Sequence, residues 1–301
     1  MTIDLVALDL DGTLLGPDER VSPRNREAIG RALAEGIRVV LVTGRGVDVP
    51  VRVSDELGLN LPVICCHGAL TKDFRANRTL VHIPVPLQPA KEMVEFAEAN
   101  GLALAVYAEE FFWRVSGTRI FMDDMTGPAW REAHSVADIL KSPPTFLRFM
   151  GEESVAAMQR SFGDLRLRFI HERWGEFIEC VVLNPNAGKQ QALSRLCADF
   201  QIDRQRVLAI GDSLNDVPML RWAGIGVAMG NAPLEVKEAV RYITASHDKD
   251  GVALAIEKLC LVKDGKMSFG PPSGNGAAPK SRRGPALGGP ARRAGGAEPG
   301  A

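Results

Sequence analysis

A chain of 301 residues that is 46% hydrophobic and 24% charged has the length to bury a full core, with room for more than one domain, and an ordinary globular composition. Its formal net charge of −1 gives no electrostatic footing for binding nucleic acid or a membrane surface. The five cysteines (Cys65, Cys66, Cys180, Cys197 and Cys260) are odd in number and form no C-x-x-C pair. Free thiols in a reducing compartment are therefore favoured over disulfides or zinc.

The opening "MTIDLVALDLDG" has no basic flank, long apolar region or small-residue cleavage site, so no signal peptide is expected. No apolar run approaches the roughly 20 residues of a membrane span. The expected location is the cytoplasm.

In chain order, Ile3 to Leu8 is an apolar run of strand length that delivers Asp9 and Asp11 at its end. "SPRNREAIGRALAEG" predicts a helix with Ser22 as N-cap, Pro23 at the first position and Gly36 as stop. "IRVVLVT" and "PVICC" read as strands covered on both faces, so the first 66 residues have a βαβ rhythm and imply a mainly parallel sheet.

From about Leu70 to Val182 the rhythm changes. "RTLVHIPV", "LALAVYAEEFFWRV", "TFLRFMG" and "LRLRFIHERWGEFIECVVL" predict strands, several in hairpins, and "PAKEMVEFAEANG" and "ESVAAMQRSFG" predict helices. The parallel rhythm then returns in helix "GKQQALSRLCADF", strand "RVLAIGD", helix "NDVPMLRWAG", strand "GVAM" and helices "APLEVKEAV" and "GVALAIEKLC".

The expected fold is α/β, a doubly wound mainly parallel sheet made by residues 1–84 and 184–262, with an inserted α/β domain at 85–183. Residues 263–301 are rich in Gly, Pro and Ala with two Arg pairs, and are expected to be a disordered, solvated tail.

Four pieces fall at strand tips or following helix starts on the edge where open α/β sheets bind ligands. They are "DLDGT" (Asp9 to Thr13), "TGR" (Thr43 to Arg45), Lys189 in "NAGKQQAL", and "GDSLND" (Gly211 to Asp216). Alone, "DLDGT" could be just a turn, "TGR" reads first as a strand-to-helix turn, Lys189 as a solvated helix residue and "GDSLND" as a possible helix cap; all four together, in this order at one sheet edge, point to a functional site. "DLDGT" is not a calcium loop of the EF-hand type, because Thr13, Leu14 and Arg20 stand where an oxygen ligand, Gly and Glu are needed. Gly224, Gly226 and Gly230 miss the dinucleotide-binding spacing by one residue. Because side chains two apart on a strand point the same way, Asp9 and Asp11 are expected to face one spot, both exposed at the sheet edge.

The set "DLDGTLL", "LVTGR", "GKQQAL" and "GDSLNDVPML" resembles the haloacid dehalogenase-like superfamily of aspartate-nucleophile phosphatases. "GVAMGNAPLEVKEAV" and "DGVALAIE" extend the resemblance to its Cof-type branch, which carries a large inserted α/β cap. The resemblance implies that Asp9 attacks phosphorus and that Asp11 protonates the leaving alkoxide and then activates water. It implies Mg²⁺ held by the Asp9 carboxylate, the Asp11 backbone carbonyl and Asp212, with Asp216 as a further ligand or as support. It also implies that Thr43, Gly44, Arg45, Lys189 and Asn215 bind the substrate.

The implied activity is hydrolysis of a small phosphorylated metabolite, most readily a sugar phosphate. A phosphomutase and a non-catalytic phospho-ligand-binding protein are the alternatives. No nucleic-acid or membrane partner is implied, and oligomeric state is not legible. His67 departs from the branch, where Asn usually stands, and it either touches substrate or is a tolerated replacement. Trp113, Arg114, His171, Arg173, Trp174 and Glu176 could line the substrate pocket or lie solvated at its rim.

Overall fold

The computed structural model describes residues 2–115, 129–174 and 176–261, and the expected tail at 263–301 lies outside them. Strand β1 (Leu5–Leu8) is entirely buried, as its apolar run requires. Helix α1 (Pro23–Ala34) starts where the sequence signals it, with Ser22 Oγ accepting from Asn25 N–H and Pro23 at the first turn. A cap of this kind stabilises a helix by about 1 kcal/mol. Ser22 also donates to Asp250 at 2.6 Å, which ties the start of α1 to the start of a distant helix.

The chain continues through β2 (Arg38–Leu41), α2 (Asp48–Glu56) and β3 (Val63–Cys65). It then forms β4 (Leu70–Asp73) and β5 (Arg78–His82), which make an antiparallel three-stranded sheet with β3. Helix α2 is not signalled by the sequence. Its alternating Val47, Val49, Val51 and Val53 suit a strand, and Pro50 lies inside it. Pro50 is tolerated because it falls in the first turn, where its missing N–H costs no helical bond.

A second sheet follows, built from β6 (Leu104–Ala108), β7 (Phe111–Val115), β8 (Trp130–Ala133), β9 (Phe146–Met150), β10 (Arg168–Trp174) and β11 (Phe177–Leu183). Its strand order is β10-β11-β9-β6-β7-β8, antiparallel except for β7 and β8. Helices α3 (Leu87–Ala99), α4 (Val136–Ile139) and α5 (Glu152–Phe162) cover one face. Leu104, Val106, Leu147, Phe149, Cys180 and Val182 pack there against Ala90, Met93, Val94 and Met158. The opposite face, with Ala105, Tyr107, Phe146 and Val181, is continuous with the apolar core around β1.

The chain then returns to the first sheet through α6 (Lys189–Asp199), β12 (Val207–Gly211), α7 (Val217–Trp222), β13 (Ile225–Ala228), α8 (Leu234–Glu238), β14 (Tyr242–Ile243) and α9 (Gly251–Leu259). The five-stranded order is β14-β13-β12-β1-β2, all parallel, and a bridge from Val42 to Ile64 sets β3 beside β2. Alternation sends Val6 and Leu8 toward α1 and α9, and Leu5 and Ala7 toward α6 and α7. From β1 the chain proceeds to β2 on one side, while β12 takes its other edge. A crevice must therefore open at the C-terminal tips of β1 and β12, as in open α/β sheets generally. Among the described residues no helix is long and apolar enough to cross a membrane.

Candidate active site

Strand β1 ends at Leu8, and the next residues carry the chemistry. Leu10–Leu14 wind into a tight turn closed by Leu15 N–H on the Leu10 carbonyl at 2.9 Å. Gly12 takes a left-handed conformation there (φ +68), and a Cβ on it would lie 2.1 Å from Asp212 Oδ2. Only glycine allows the turn and Asp212 to meet this closely.

The turn separates the two carboxylates. Asp9 is buried, 4% exposed, and accepts a hydrogen bond from Lys189 Nζ at 2.7 Å. Asp11 keeps 40% of its side chain exposed and is gripped by Arg45, whose Nε lies 2.9 Å from both oxygens and whose Nη2 lies 2.5 Å from Oδ1. The expectation that both stand exposed on one strand face is corrected. The strand stops before Asp9, and only Asp11 reaches the surface.

Lys189, the first residue of α6, also donates to Asp216 Oδ1 at 2.6 Å and is itself buried. The other oxygen of Asp216 accepts from the backbone N–H groups of Asp212 and Ser213 and from Ser213 Oγ, at 3.0–3.1 Å. Asp216 thereby fixes the loop after β12 that presents Asp212. Asp212 accepts from Thr13 Oγ1 at 3.4 Å and from Asn231 Nδ2 at 3.1 Å. Asn231 Nδ2 also donates to the Gly12 carbonyl at 2.8 Å, and its Oδ1 accepts from His247 N–H. One side chain thus clips the turn after β1 to Asp212. The sequence reading assigned Asn231 no role, because only the fold brings it there.

The loop after β2 forms the other wall. Buried Thr43 donates its N–H to the Ile64 carbonyl and accepts at Oγ1 from Arg45 N–H. Its carbonyl receives His67 N–H at 3.0 Å. A Cβ on Gly44 would lie 2.4 Å from His67 Cε1, so the imidazole sits directly on that backbone. A Cβ on Gly68 would lie 2.3 Å from the Gly188 carbonyl, which lets the 66–68 turn press against the start of α6. His67 and Lys189 are brought to one place this way.

Asn215 Nδ2 donates to Glu172 on β10 at 2.6 Å, and its Oδ1 lies 3.0 Å from Ser213 Oγ. Of the second-sheet candidates, His171 lies beside Cys180 at 3.9 Å, and Arg173 reaches Glu152 of α5. Both therefore point to the helix-covered face, as does Trp113. The residue facing the site is Glu172 between them. Arg114 pairs with Glu132, and Glu176 is exposed. The side chain of Trp174 lies outside what the structure describes.

The electrostatics follow from this crowding. Burial, then repulsion from Asp216, pushes the Asp9 carboxyl well above its usual range, against the pull of Lys189. The same two causes push Asp212 up to about 7. Burial works against the Lys189 ammonium, but Asp216 and Asp9 outweigh it and hold it charged. For Arg45, Asp11 and Glu19 likewise outweigh burial. The oxygens of Asp9, Asp212 and Asp216 lie within 4.8 Å of one another, an all-carboxylate set suited to a hard divalent cation.

These shifts carry a sign. The unfolded chain releases the Asp9 and Asp212 protons at lower pH than the folded chain does. Without metal, stability therefore falls as pH rises from about 4 toward 7. A divalent cation held there would need the ionised carboxylates, so stabilisation by added Mg²⁺ should be larger at pH 8 than at pH 5. Thermal melts with Mg²⁺ and with a chelator at both values measure this. A metal effect that shrinks with rising pH would contradict it.

An acidic cluster, a buried lysine and a Thr-Gly-Arg loop thus lie together at one edge of a parallel sheet. The sequence matches the haloacid dehalogenase-like hydrolase family over residues 6–256, and the chain belongs to that family. It is 31% identical to a 5-amino-6-(5-phospho-D-ribitylamino)uracil phosphatase of Bacillus subtilis, over 86% of this chain and 96% of that one. It is 27% identical to a pyridoxal phosphate phosphatase of Escherichia coli, over 84% of this chain and 97% of the other. The fold is also that of a haloacid dehalogenase-like hydrolase from Bacteroides thetaiotaomicron, with TM-score 0.73, 28% identity and coverage of 86% and 100%.

Proposed function

We propose that the chain is a Mg²⁺-dependent phosphatase that hydrolyses a small phosphorylated metabolite, a sugar phosphate, through an aspartyl-phosphate intermediate. The observation that carries this reading is the buried Asp9 at the tip of β1, held by Lys189 at 2.7 Å within the cluster of Asp212 and Asp216. Its acidic and basic groups are those that in-line attack on a phosphate monoester needs.

Asp9 is the nucleophile, and its fixed carboxylate reduces the freedom lost on reaching phosphorus. Asp9, Asp212 and the Asp11 backbone carbonyl would hold Mg²⁺, with Asp216 fixing the loop that carries Asp212. Bound there, the ion supplies positive charge that screens the substrate dianion from the carboxylates. Lys189, Thr43 and the Gly44 amide receive the phosphoryl oxygens, and Asn215 orients the same group.

Asp11 protonates the departing alkoxide and then takes a proton from the attacking water. Arg45 engages both Asp11 oxygens. Arg45 must therefore shift toward the phosphate as Asp11 takes up its acid role, exchanging one anion for another. Residues 85–183 act as the cap over this site, a division supported by the separate sheet that they contribute. The curated relatives act on phosphate esters of a ribityl chain and of pyridoxal, which supports a small organic phosphate as substrate.

The test is phosphate release from a panel of phosphorylated metabolites. Turnover should require Mg²⁺ and be strongest for sugar or sugar-alcohol monophosphates. Full activity in chelator, or none with any monoester in Mg²⁺, would overturn the reading.

A further inference from the structure

The backbone of the loop after β2 is pinned at almost every residue. Thr43 N–H donates to the Ile64 carbonyl and Arg45 N–H to Thr43 Oγ1, while the Thr43 and Arg45 carbonyls accept from His67 N–H and Cys66 N–H. Among the described residues the N–H groups of Gly44 and Gly46 meet no protein acceptor, so the Gly44 amide is available to an oxyanion. The last anchor of the loop comes from the second sheet. Val47 N–H, at the start of α2, donates to Tyr107 Oη on β6 at 3.1 Å. A Cβ on Gly46 would lie 2.9–3.0 Å from the Tyr107 ring and hydroxyl, so the backbone there rests against the phenol.

Tyr107 is itself held firmly. It is 1% exposed, stacks on Phe146 with centroids 5.0 Å apart and planes 10° apart, and has Phe112 at 4.6 Å. Strands β6 and β7 turn at Glu109 and Glu110, both in the left-handed region (φ +53 and +68). A two-residue turn of this kind normally uses Asn or Gly, and two glutamates adopt it at a cost. Glu110 holds the turn by pairing with the buried Lys72 of β4. The hairpin is thus fixed at its tip and along its ring stack, which leaves the hydroxyl little freedom to shift.

We infer that Tyr107 is a positioning residue for the phosphoryl-binding loop. Its hydroxyl fixes the Val47 end of the 43–47 loop, so that the Gly44 amide faces the phosphoryl oxygens and Arg45 reaches Asp11. The inference rests on the phosphatase reading above and adds to that machinery a side chain of the second sheet. Without the hydroxyl, Val47 N–H is left unpaired, and the loop can find it a partner only by moving. A shift of about 1 Å in a binding group can cost up to about 100-fold in rate.

The test is Tyr107→Phe, which keeps the ring against Gly46 and Phe146 and removes only the hydroxyl. Binding of inorganic phosphate is followed by calorimetry in Mg²⁺, and turnover with p-nitrophenyl phosphate. The variant should bind phosphate about tenfold more weakly and lose about tenfold in kcat/KM, with the Mg²⁺ concentration for half-activation unchanged within about twofold. Tm should fall by no more than about 4 °C, as for one hydrogen bond in a protein of this size. Unchanged phosphate affinity would overturn the inference, whatever Tm does. So would equal weakening of phosphate and Mg²⁺, the mark of a general structural role. An intact chain that neither binds phosphate nor turns over p-nitrophenyl phosphate would overturn the phosphatase reading, and this inference with it.

Discussion

Asp9→Asn is expected to abolish phosphate release, by a factor on the order of 10⁴ or more, because the amide cannot form the phosphoryl ester. The fold should not suffer. The amide oxygen of the variant can still accept from Lys189, and the change removes a buried charge that Asp216, Asp212 and Asp11 all repel. Melting temperature should hold or rise while activity disappears, and the two can be measured on one preparation. Residual turnover within about tenfold of the intact chain would remove Asp9 from the mechanism.

Lys189→Met should do the opposite to stability. Lys189 lies between two buried carboxylates, at 2.7 Å from Asp9 and 2.6 Å from Asp216. Removing one partner of a buried ion pair leaves an uncompensated charge and typically costs about 3–5 kcal/mol. For a domain of this size that corresponds to a drop in Tm on the order of 10 °C. Activity should fall as well, since the phosphoryl oxygens lose their fixed cation. A variant melting at the original temperature would show that Lys189 is not part of what holds the site together. Asp9→Asn and Lys189→Met thus separate chemistry from cohesion in the same cluster.

Much of this was legible from the chain. Apolar runs of strand length gave β1, β2 and β12, and Ser22 and Pro23 marked the start of α1. The acidic and basic motifs could be aligned on one sheet edge because each follows such a strand. The rest was hidden for physical reasons. A run of valines around Pro50 carries a strand's composition, and only burial of Val53 and Pro50 against the core makes it helical. The engagement of Asp11 by Arg45 joins residues 34 apart through a turn set by Gly12, which no spacing rule anticipates. Glu172 was passed over for His171 and Arg173 because strand facing depends on register, and one residue's slip exchanges the two faces.

The position of β1 also bears on how the protein is made. Its partner on one side, β2, follows within about thirty residues, but Leu5 to Leu8 pair on the other side with Val207 to Ile210. At roughly 5–20 residues per second, translation leaves that second edge without its neighbour for some ten to forty seconds. During that interval an apolar strand offers its unpaired backbone to any other nascent chain. The strand that leads into Asp9 is thus exposed to misassembly until most of the protein exists, and slowing synthesis ahead of β12 should raise the aggregated fraction.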